Sequence, residues 1–298
     1  MKDTRQDFTA AALSGVKPSF WSRSYRLGSG DNETALELGQ RTLIMGILNA
    51  TPDSFSDGGK HNEAEAAAAH AVKLAEEGAD LIDIGAESTR PGFEPISAEE
   101  ELQRLLPVIR AVREALPNMP ISIDTYKAET ARRALEAGAH ILNDIWGLRQ
   151  DPLMAAVAAE YGCPVIITHN RPDRDYNDLV PDVLADLRLS IEIAKQAGVA
   201  DEQIWLDPGI GFAKNYEENI AMMAHLADIN AMGYPVLLGT SRKRFIRQTL
   251  DLPVEELEEG TAATTALGIV QGCQIVRVHN VRANKRTAVM TDAIVYRR

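Results

Sequence analysis

Eight short apolar runs, separated mostly by longer amphipathic stretches, constrain this chain more than any other feature of its sequence. The runs are Thr42–Leu48, Leu81–Gly85, Pro120–Asp124, Ile141–Asp144, Pro164–Thr168, Ile204–Asp207, Pro235–Gly239 and Gln274–Val278. They are nearly continuous in Ile, Leu and Val, as expected of strands covered on both faces of a parallel sheet. Between them, Glu63–Glu77, Ala98–Ala115, Ala128–Ala137 and Pro181–Ala197 carry helical spacing, and Val281–Tyr296 reads as a closing helix. Strands and helices in this alternation predict an α/β fold, a closed (β/α)8 TIM barrel, with a doubly wound open sheet as the main alternative. A chain of 298 residues suits one such barrel and can bury a large core without a disulfide or metal staple. Residues 1–40 do not follow the repeat and read as an N-terminal arm, with Gly28, Gly30 and Asp31 marking the turns of a short hairpin across the barrel's bottom. Residues 41–298 then form the barrel.

Composition narrows the function. The formal net charge of −12 argues against a nucleic-acid or acidic-membrane surface, although a few convergent cations can still hold an anion. No apolar run approaches the length of a membrane span, and the first twenty residues hold no secretory apolar segment, so a cytoplasmic location is expected. Cys163 and Cys273 lie beside apolar runs without metal spacing and read as buried free thiols. A Walker A loop, a dinucleotide fingerprint, a Gly-x-Ser-x-Gly elbow and a paired-histidine metal motif are all absent from the sequence.

Barrel enzymes carry their chemistry at the C-terminal ends of the strands. Here polar and ionisable residues follow nearly every run at that end: Asn49 after the first, Glu87 to Arg90 after the second, then Asp124, Asn143, His169, Asp207, Lys243, and Arg277 with His279. Each has an ordinary structural reading. Asp124 and Asp207 can be helix N-caps, and Asp207-Pro208-Gly209 is also common turn chemistry. Asn143 can satisfy backbone groups at the barrel mouth, and His169 alone is more often structural than catalytic. Arg277 and His279 share a strand parity, so their side chains point the same way, either into a site or into a surface salt bridge. Arg242 and Lys243, placed in the first turn of a helix, oppose its dipole and point to a bound anion. Gly58-Gly59 ends a long first loop of the kind a lid needs. The residues alone thus describe a barrel enzyme with buried carboxylates, an amide suited to a heterocycle, and an anionic ligand.

Seven segments carry a resemblance. MGILNATPDSFSDGG, DIGAESTRPG, SIDTYK, NDIWG, LDPGIGF, LLGTSRK and RVH occur in this order at the strand ends, and from about Arg41 onward the chain resembles the dihydropteroate synthases. That resemblance implies condensation of 6-hydroxymethyl-7,8-dihydropterin pyrophosphate with p-aminobenzoate, giving dihydropteroate and pyrophosphate. It implies that Asp124, Asn143, Asp207 and Lys243 bind the pterin, and that Asn49, Arg277 and His279 hold the pyrophosphate, Asn49 through Mg2+. Phe55, Ser88, Thr89, Arg90, Pro91, Phe212 and Arg244 are implied to border the p-aminobenzoate site, with Phe55 and Asp57 closing over it. The catalytic set implied is Asn49, Asp57, Arg90, Lys243, Arg277 and His279, in a homodimer. Departures from the family pattern are Arg244 where Ser is common, Thr168 in place of Met, Asn280 in place of Asp, and Ala86 in place of Gly. Two other readings share the pterin residues: a pterin-dependent methyltransferase and a paralogue that binds pterin without turnover. Asn49, Arg90, Arg277 and His279, which suit a diphosphate, favour the synthase over the methyltransferase.

Overall fold

The computed structural model describes residues 22–50, 59–87 and 95–295, and the side chains of 63–87 within the second stretch. Phe55, Asp57, Ser88, Thr89, Arg90 and Pro91 therefore lie outside the described residues.

Two antiparallel strands, β1 (Arg23–Leu27) and β2 (Thr34–Leu38), come first and form a hairpin. Eight parallel strands follow: β3 (Leu43–Asn49), β4 (Leu81–Gly85), β5 (Ile121–Asp124), β6 (Ile141–Asp144), β7 (Val165–Thr168), β8 (Ile204–Asp207), β9 (Leu237–Leu238) and β10 (Ile275–Val278). They pair in the order β8-β7-β6-β5-β4-β3-β10-β9, and a parallel bridge between Leu206 and Val236 brings β9 back to β8. This closure excludes the open-sheet alternative and gives the expected (β/α)8 barrel.

Element ends differ from expectation for identifiable reasons. Thr42 leaves the strand because its backbone N–H and hydroxyl both donate to the Asp292 carboxylate, at 2.9 and 2.7 Å. Strand β9 is shorter than the run around it. Pro235 has no N–H to offer the ladder, and the Val236 N–H donates to the Gln274 side chain at 2.7 Å. The helix Ala98–Ala115 keeps the expected bounds because Ser97 caps it, accepting from the Glu100 N–H at 3.1 Å, with three glutamates in the first turn.

Strand periodicity divides the molecule into two cores. Residues of one parity, including Ile44, Leu48, Ile82, Ile84, Ile123, Leu142, Val165, Ile204 and Val276, pack outward against the helices. The other parity points into the barrel. Its lower layer is apolar: Leu43, Met45, Leu81, Ile141, Ile166, Trp205, Leu237 and Ile275 cluster with Tyr25, Leu27, Leu36 and Leu38 of the hairpin. The hairpin thus plugs the bottom. Tyr25 meets Trp205 edge-on at 5.4 Å and accepts a 3.0 Å hydrogen bond from the indole N–H. His140, held neutral by burial, which pushes it down to about 4, bridges the Ile121 N–H and the Asn32 carbonyl at 3.1 and 3.0 Å. With the lower end packed shut, the open end lies at the C-terminal ends of the strands.

Candidate active site

Above the apolar layer the inward parity turns polar. Asn49, Gly85, Asp124 and Asn143 stand in register on β3, β4, β5 and β6, so one level of the barrel presents an amide, a gap, a carboxylate and an amide. Asn49 is exposed at the rim, whereas Asn143 is buried. Gly85 is small for a reason: a Cβ there would come within 3.3 Å of the Asp124 Cβ.

Arg277 links the strands across this mouth. Its Nε donates to Asp83 Oδ2 at 2.6 Å and its Nη2 to Asp124 Oδ2 at 2.7 Å. Asn143 also donates to Asp83 Oδ2, at 3.2 Å. Burial favours a neutral Arg277, but the charges of Asp83 and Asp124 outweigh it and hold the guanidinium above its ordinary value. Burial, opposed by Arg277 and aided by the charge of Asp83, pushes Asp124 up to about 7. The surface-salt-bridge reading of Arg277 is excluded, since Asp83 is fully buried. Asp124 is no N-cap either: the next helix, Ala128–Glu136, has Lys127 at its N-cap position, and its first N–H is taken by Asp151.

Asp207 ends β8, and its Oδ1 accepts the Gly209 N–H at 2.7 Å. This is turn chemistry, but it uses one oxygen only. A Cβ placed on Gly239 would lie 3.7 Å from Asp207 Oδ2, 3.9 Å from Lys243 Nζ and 3.9 Å from Arg277 Cβ. The Asp207 carboxylate and the Lys243 ammonium therefore flank one small volume over a glycine, with the stem of Arg277 at its edge. The Lys243 ammonium donates to the Ile210 carbonyl and lies 4.8 Å from the centre of the Phe212 ring. Burial, partly offset by Asp207, pushes it down to about 8. The helix here begins at Arg244, so Lys243 is its N-cap residue and Arg242 precedes it with a left-handed φ of 57°. Neither sits in the first turn as the sequence suggested, and Lys243 bends back over the β8 loop instead. Arg244 is exposed at the helix start.

His279 completes the rim. Ser241 Oγ lies 2.9 Å from His279 Nδ1 and accepts the His279 backbone N–H at 3.2 Å. With the hydroxyl hydrogen directed at Nδ1, the ring proton stays on Nε2.

The structure thus assembles Asn49, Asp124, Asn143, Asp207, Phe212, Lys243, Arg244, Arg277 and His279 at one end of the barrel. Sequence reasoning passed over Asp83, Ser241 and Lys214. Asp83 carried a signal, being a lone charge inside the apolar run Leu81–Gly85. Ser241 shares the inward parity of Gly239. Lys214, which is 8% exposed and bonds to His169, gave no local sign.

The family model for pterin-binding enzymes matches residues 45–279, a span that contains every described residue of this mouth. This chain belongs to that family of pterin-binding enzymes. Within it, the chain is 56% identical over 262 residues to the dihydropteroate synthase of Bacillus subtilis, covering 88% of this chain and 92% of the relative. It is 55% identical over 261 residues to that of Clostridium beijerinckii, covering 87% and 97%. Among solved structures, a Clostridium difficile dihydropteroate synthase in the presence of pteroic acid superposes with a TM-score of 0.85 at 48% identity, covering 88% of this chain and all of that one. A Xanthomonas albilineans dihydropteroate synthase with 4-aminobenzoic acid gives a TM-score of 0.85 at 41% identity, covering 91% and 98%. Likeness at this level over nearly the whole barrel makes the chain a transferase of folate biosynthesis in the dihydropteroate synthase line.

Proposed function

We propose that this dihydropteroate synthase works through the mouth just described, with each residue in a definite role. The supporting observation is that Asp207 Oδ2, Lys243 Nζ and the stem of Arg277 surround Gly239, while the Arg277 guanidinium reaches Asp124 across the same mouth. A pterin's aminopyrimidinone edge carries N–H donors beside a carbonyl acceptor. Asp207 and Asp124 accept from the donors, Lys243 meets the carbonyl and ring nitrogen, and Asn143 reads the remaining edge. A wrong heterocycle leaves buried partners unmet, at about 1–3 kcal/mol each.

Reaction begins at the exocyclic methylene. The bond to the diphosphate oxygen breaks, the electron pair leaves with pyrophosphate, and the cation is shared with the dihydropterin ring. Negative charge gathers on the leaving group. Arg277, two of whose five N–H groups are used by Asp83 and Asp124, and the Nε2–H of His279 act on that charge. Asp124 and Asp207 favour the cation electrostatically. The aniline nitrogen of p-aminobenzoate then forms its bond to the methylene carbon, and the resulting anilinium loses its proton to solvent. Phe212 and Arg244 border the acceptor, with Phe55, Ser88, Thr89, Arg90, Pro91 and Asp57 assigned to the same side by resemblance.

Mg2+ fits this site in a specific way. The described residues hold no cluster of three carboxylate, histidine or cysteine ligands, and the mouth offers one exposed amide, Asn49. That donor set suits a hard cation held mostly by water and substrate phosphates. Bound there, Mg2+ supplies charge neutralisation on the diphosphate.

A cytoplasmic homodimer completes the reading. No helix among the described residues is long and apolar enough to cross a membrane. The closing helix Val281–Val295 exposes Val289, Met290 and Ile294, an apolar stripe suited to a second copy; sedimentation as a monomer would remove that element. A Yersinia pestis dihydropteroate synthase of TM-score 0.81 is solved as a sulfonamide drug complex, which supports this chain as a sulfonamide target.

The decisive assay combines the chain with Mg2+, dihydropterin pyrophosphate and p-aminobenzoate. Pyrophosphate and dihydropteroate should appear together, and Arg277→Ala should mainly slow pyrophosphate departure. Pterin binding without pyrophosphate release identifies the silent paralogue instead.

A further inference from the structure

The loop after β8 supplies three contacts to the site. The Gly209 N–H holds Asp207, the Ile210 carbonyl receives Lys243, and the Phe212 ring lies beside the same ammonium. Yet its backbone is not one that a chain adopts unaided. Gly209 and Gly211 have φ of 69° and 86°, and Ala213, which has a Cβ, has φ of 45°. A left-handed alanine costs about 1–2 kcal/mol, so something must hold the loop in place.

Lys214 is the group in position to do so. Its buried ammonium has three N–H donors and meets three acceptors: His169 Nδ1 at 2.8 Å, the Gly209 carbonyl at 3.1 Å and the Phe212 carbonyl at 3.3 Å. The two carbonyls bracket Ile210, whose own carbonyl receives Lys243. His169 is fixed as an acceptor from behind. Its Nε2 lies 3.0 Å from Asp186 Oδ2, a carboxylate also bound by Arg171 Nε at 2.5 Å, so Nε2 carries the proton and Nδ1 faces the ammonium. Burial pushes His169 down to about 4, which keeps the ring neutral. Tyr176 and Asn219 secure the flanks, donating to the Ala213 carbonyl at 3.0 Å and accepting the Gly211 N–H at 2.6 Å.

We propose that Lys214 is a positioning residue of this enzyme: with His169 and Asp186 behind it, it clamps the β8 loop so that Asp207, Lys243 and Phe212 meet the substrates in register. Kinetics separate this role from a purely structural one. A buried ammonium is costly to desolvate, and a Met of similar length would pack in the same space without that cost. That substitution also leaves His169 Nδ1 and the Gly209 and Phe212 carbonyls without their donor, so a loss of stability is expected beside the kinetic effect.

The inference rests on the assignment of Asp207 and Lys243 to the pterin, and the experiment separates the two. Lys214→Met and Lys214→Gln are compared with the unaltered enzyme for KM of each substrate, kcat and Tm. Lys214→Met should raise KM for the pterin pyrophosphate about tenfold, the effect of losing well-placed hydrogen bonds, raise KM for p-aminobenzoate less, change kcat less than about twofold, and lower Tm. Lys214→Gln, which keeps an N–H for one loop carbonyl, should fall between. A pterin KM unchanged in Lys214→Met, with or without a lower Tm, overturns the proposal. Should Lys214→Met fail to fold, the pterin KM of Lys214→Gln decides in the same way. Asp207→Asn and Lys243→Met report on the underlying reading: if neither weakens pterin binding, that reading fails whatever Lys214 shows.

Discussion

Arg277 reaches Asp124 across the barrel mouth, Nη2 to Oδ2 at 2.7 Å, although β3 and β4 lie between their strands. One guanidinium thus compensates a fully buried carboxylate and a partly buried one, since its Nε is bound to Asp83. Removing one partner of a buried pair costs about 3–5 kcal/mol because the survivor is left charged and unpaired. Arg277→Ala should therefore lower stability as well as kcat. The abandoned Asp124 carboxyl binds its proton more tightly when folded than when unfolded, so the loss should be larger at pH 8 than at pH 5. Chemical denaturation at both values checks this. An equal loss at both would show that the pair is not what Arg277 compensates.

The unaltered site has its own pH signature. Asp124, pushed up to about 7 mainly by burial, keeps a proton in the folded state that the unfolded chain releases near the ordinary 3.8. The stability this proton contributes is full below 3.8 and is lost as pH rises to about 7. Asp144, pushed up to about 6 by burial, adds to the same limb. Asp124→Asn should flatten the fall in Tm between pH 4 and 7 without abolishing it, because Asp144 remains. A slope identical to the unaltered protein's would count against a protonated Asp124.

These two groups show what the sequence made readable and what it hid. The eight strands were legible because both faces of each are buried, which leaves continuous apolar runs. The mouth was legible because strand parity and strand ends are local properties, so Asp124, Asn143, Asp207 and Arg277 fell on it by counting. The partner of Arg277 was hidden, since the pairing with Asp83 spans 194 positions and depends on barrel closure. Lys243 was placed inside the helix instead of at its N-cap because nothing local marks the left-handed Arg242 before it. The clamp around Lys214 was invisible for the same reason: His169 and Asp186 approach it from other elements.

Arg244 is exposed at the start of its helix, at the edge of the site. p-Aminobenzoate is an anion and the chain carries a net charge of −12, so a cation at this edge favours the substrate. An exposed charge contributes about 0.2–1 kcal/mol, which corresponds to a factor of about 1.4 to 5. Arg244→Ser should raise KM for p-aminobenzoate by that factor, and the difference should shrink in 1 M salt as the charge is screened. An unchanged KM at low salt would remove Arg244 from the acceptor site.

Two glycines near Asp207 make opposite predictions. Gly209 has φ of 69°, and a Cβ on it would stand 1.8 Å from the His169 carbonyl oxygen. The oxygen is backbone and the Cβ is fixed by backbone, so neither can rotate away, and Gly209→Ala must displace the β8 loop or the end of β7. It should cost several kcal/mol, about the upper range for single substitutions, and lower soluble yield and Tm together. Gly239 is different. A Cβ there meets Asp207 Oδ2, Lys243 Nζ and Arg277 Cβ at 3.7 to 3.9 Å, ordinary contact distances, so the fold has room for it. That room is the space in which the proposed pterin contacts converge. Gly239→Ala should therefore keep Tm within a few degrees of the unaltered protein while weakening pterin binding by calorimetry. Unchanged pterin affinity in a folded Gly239→Ala protein would place the heterocycle elsewhere in the barrel, and with it the roles assigned to Asp207 and Lys243.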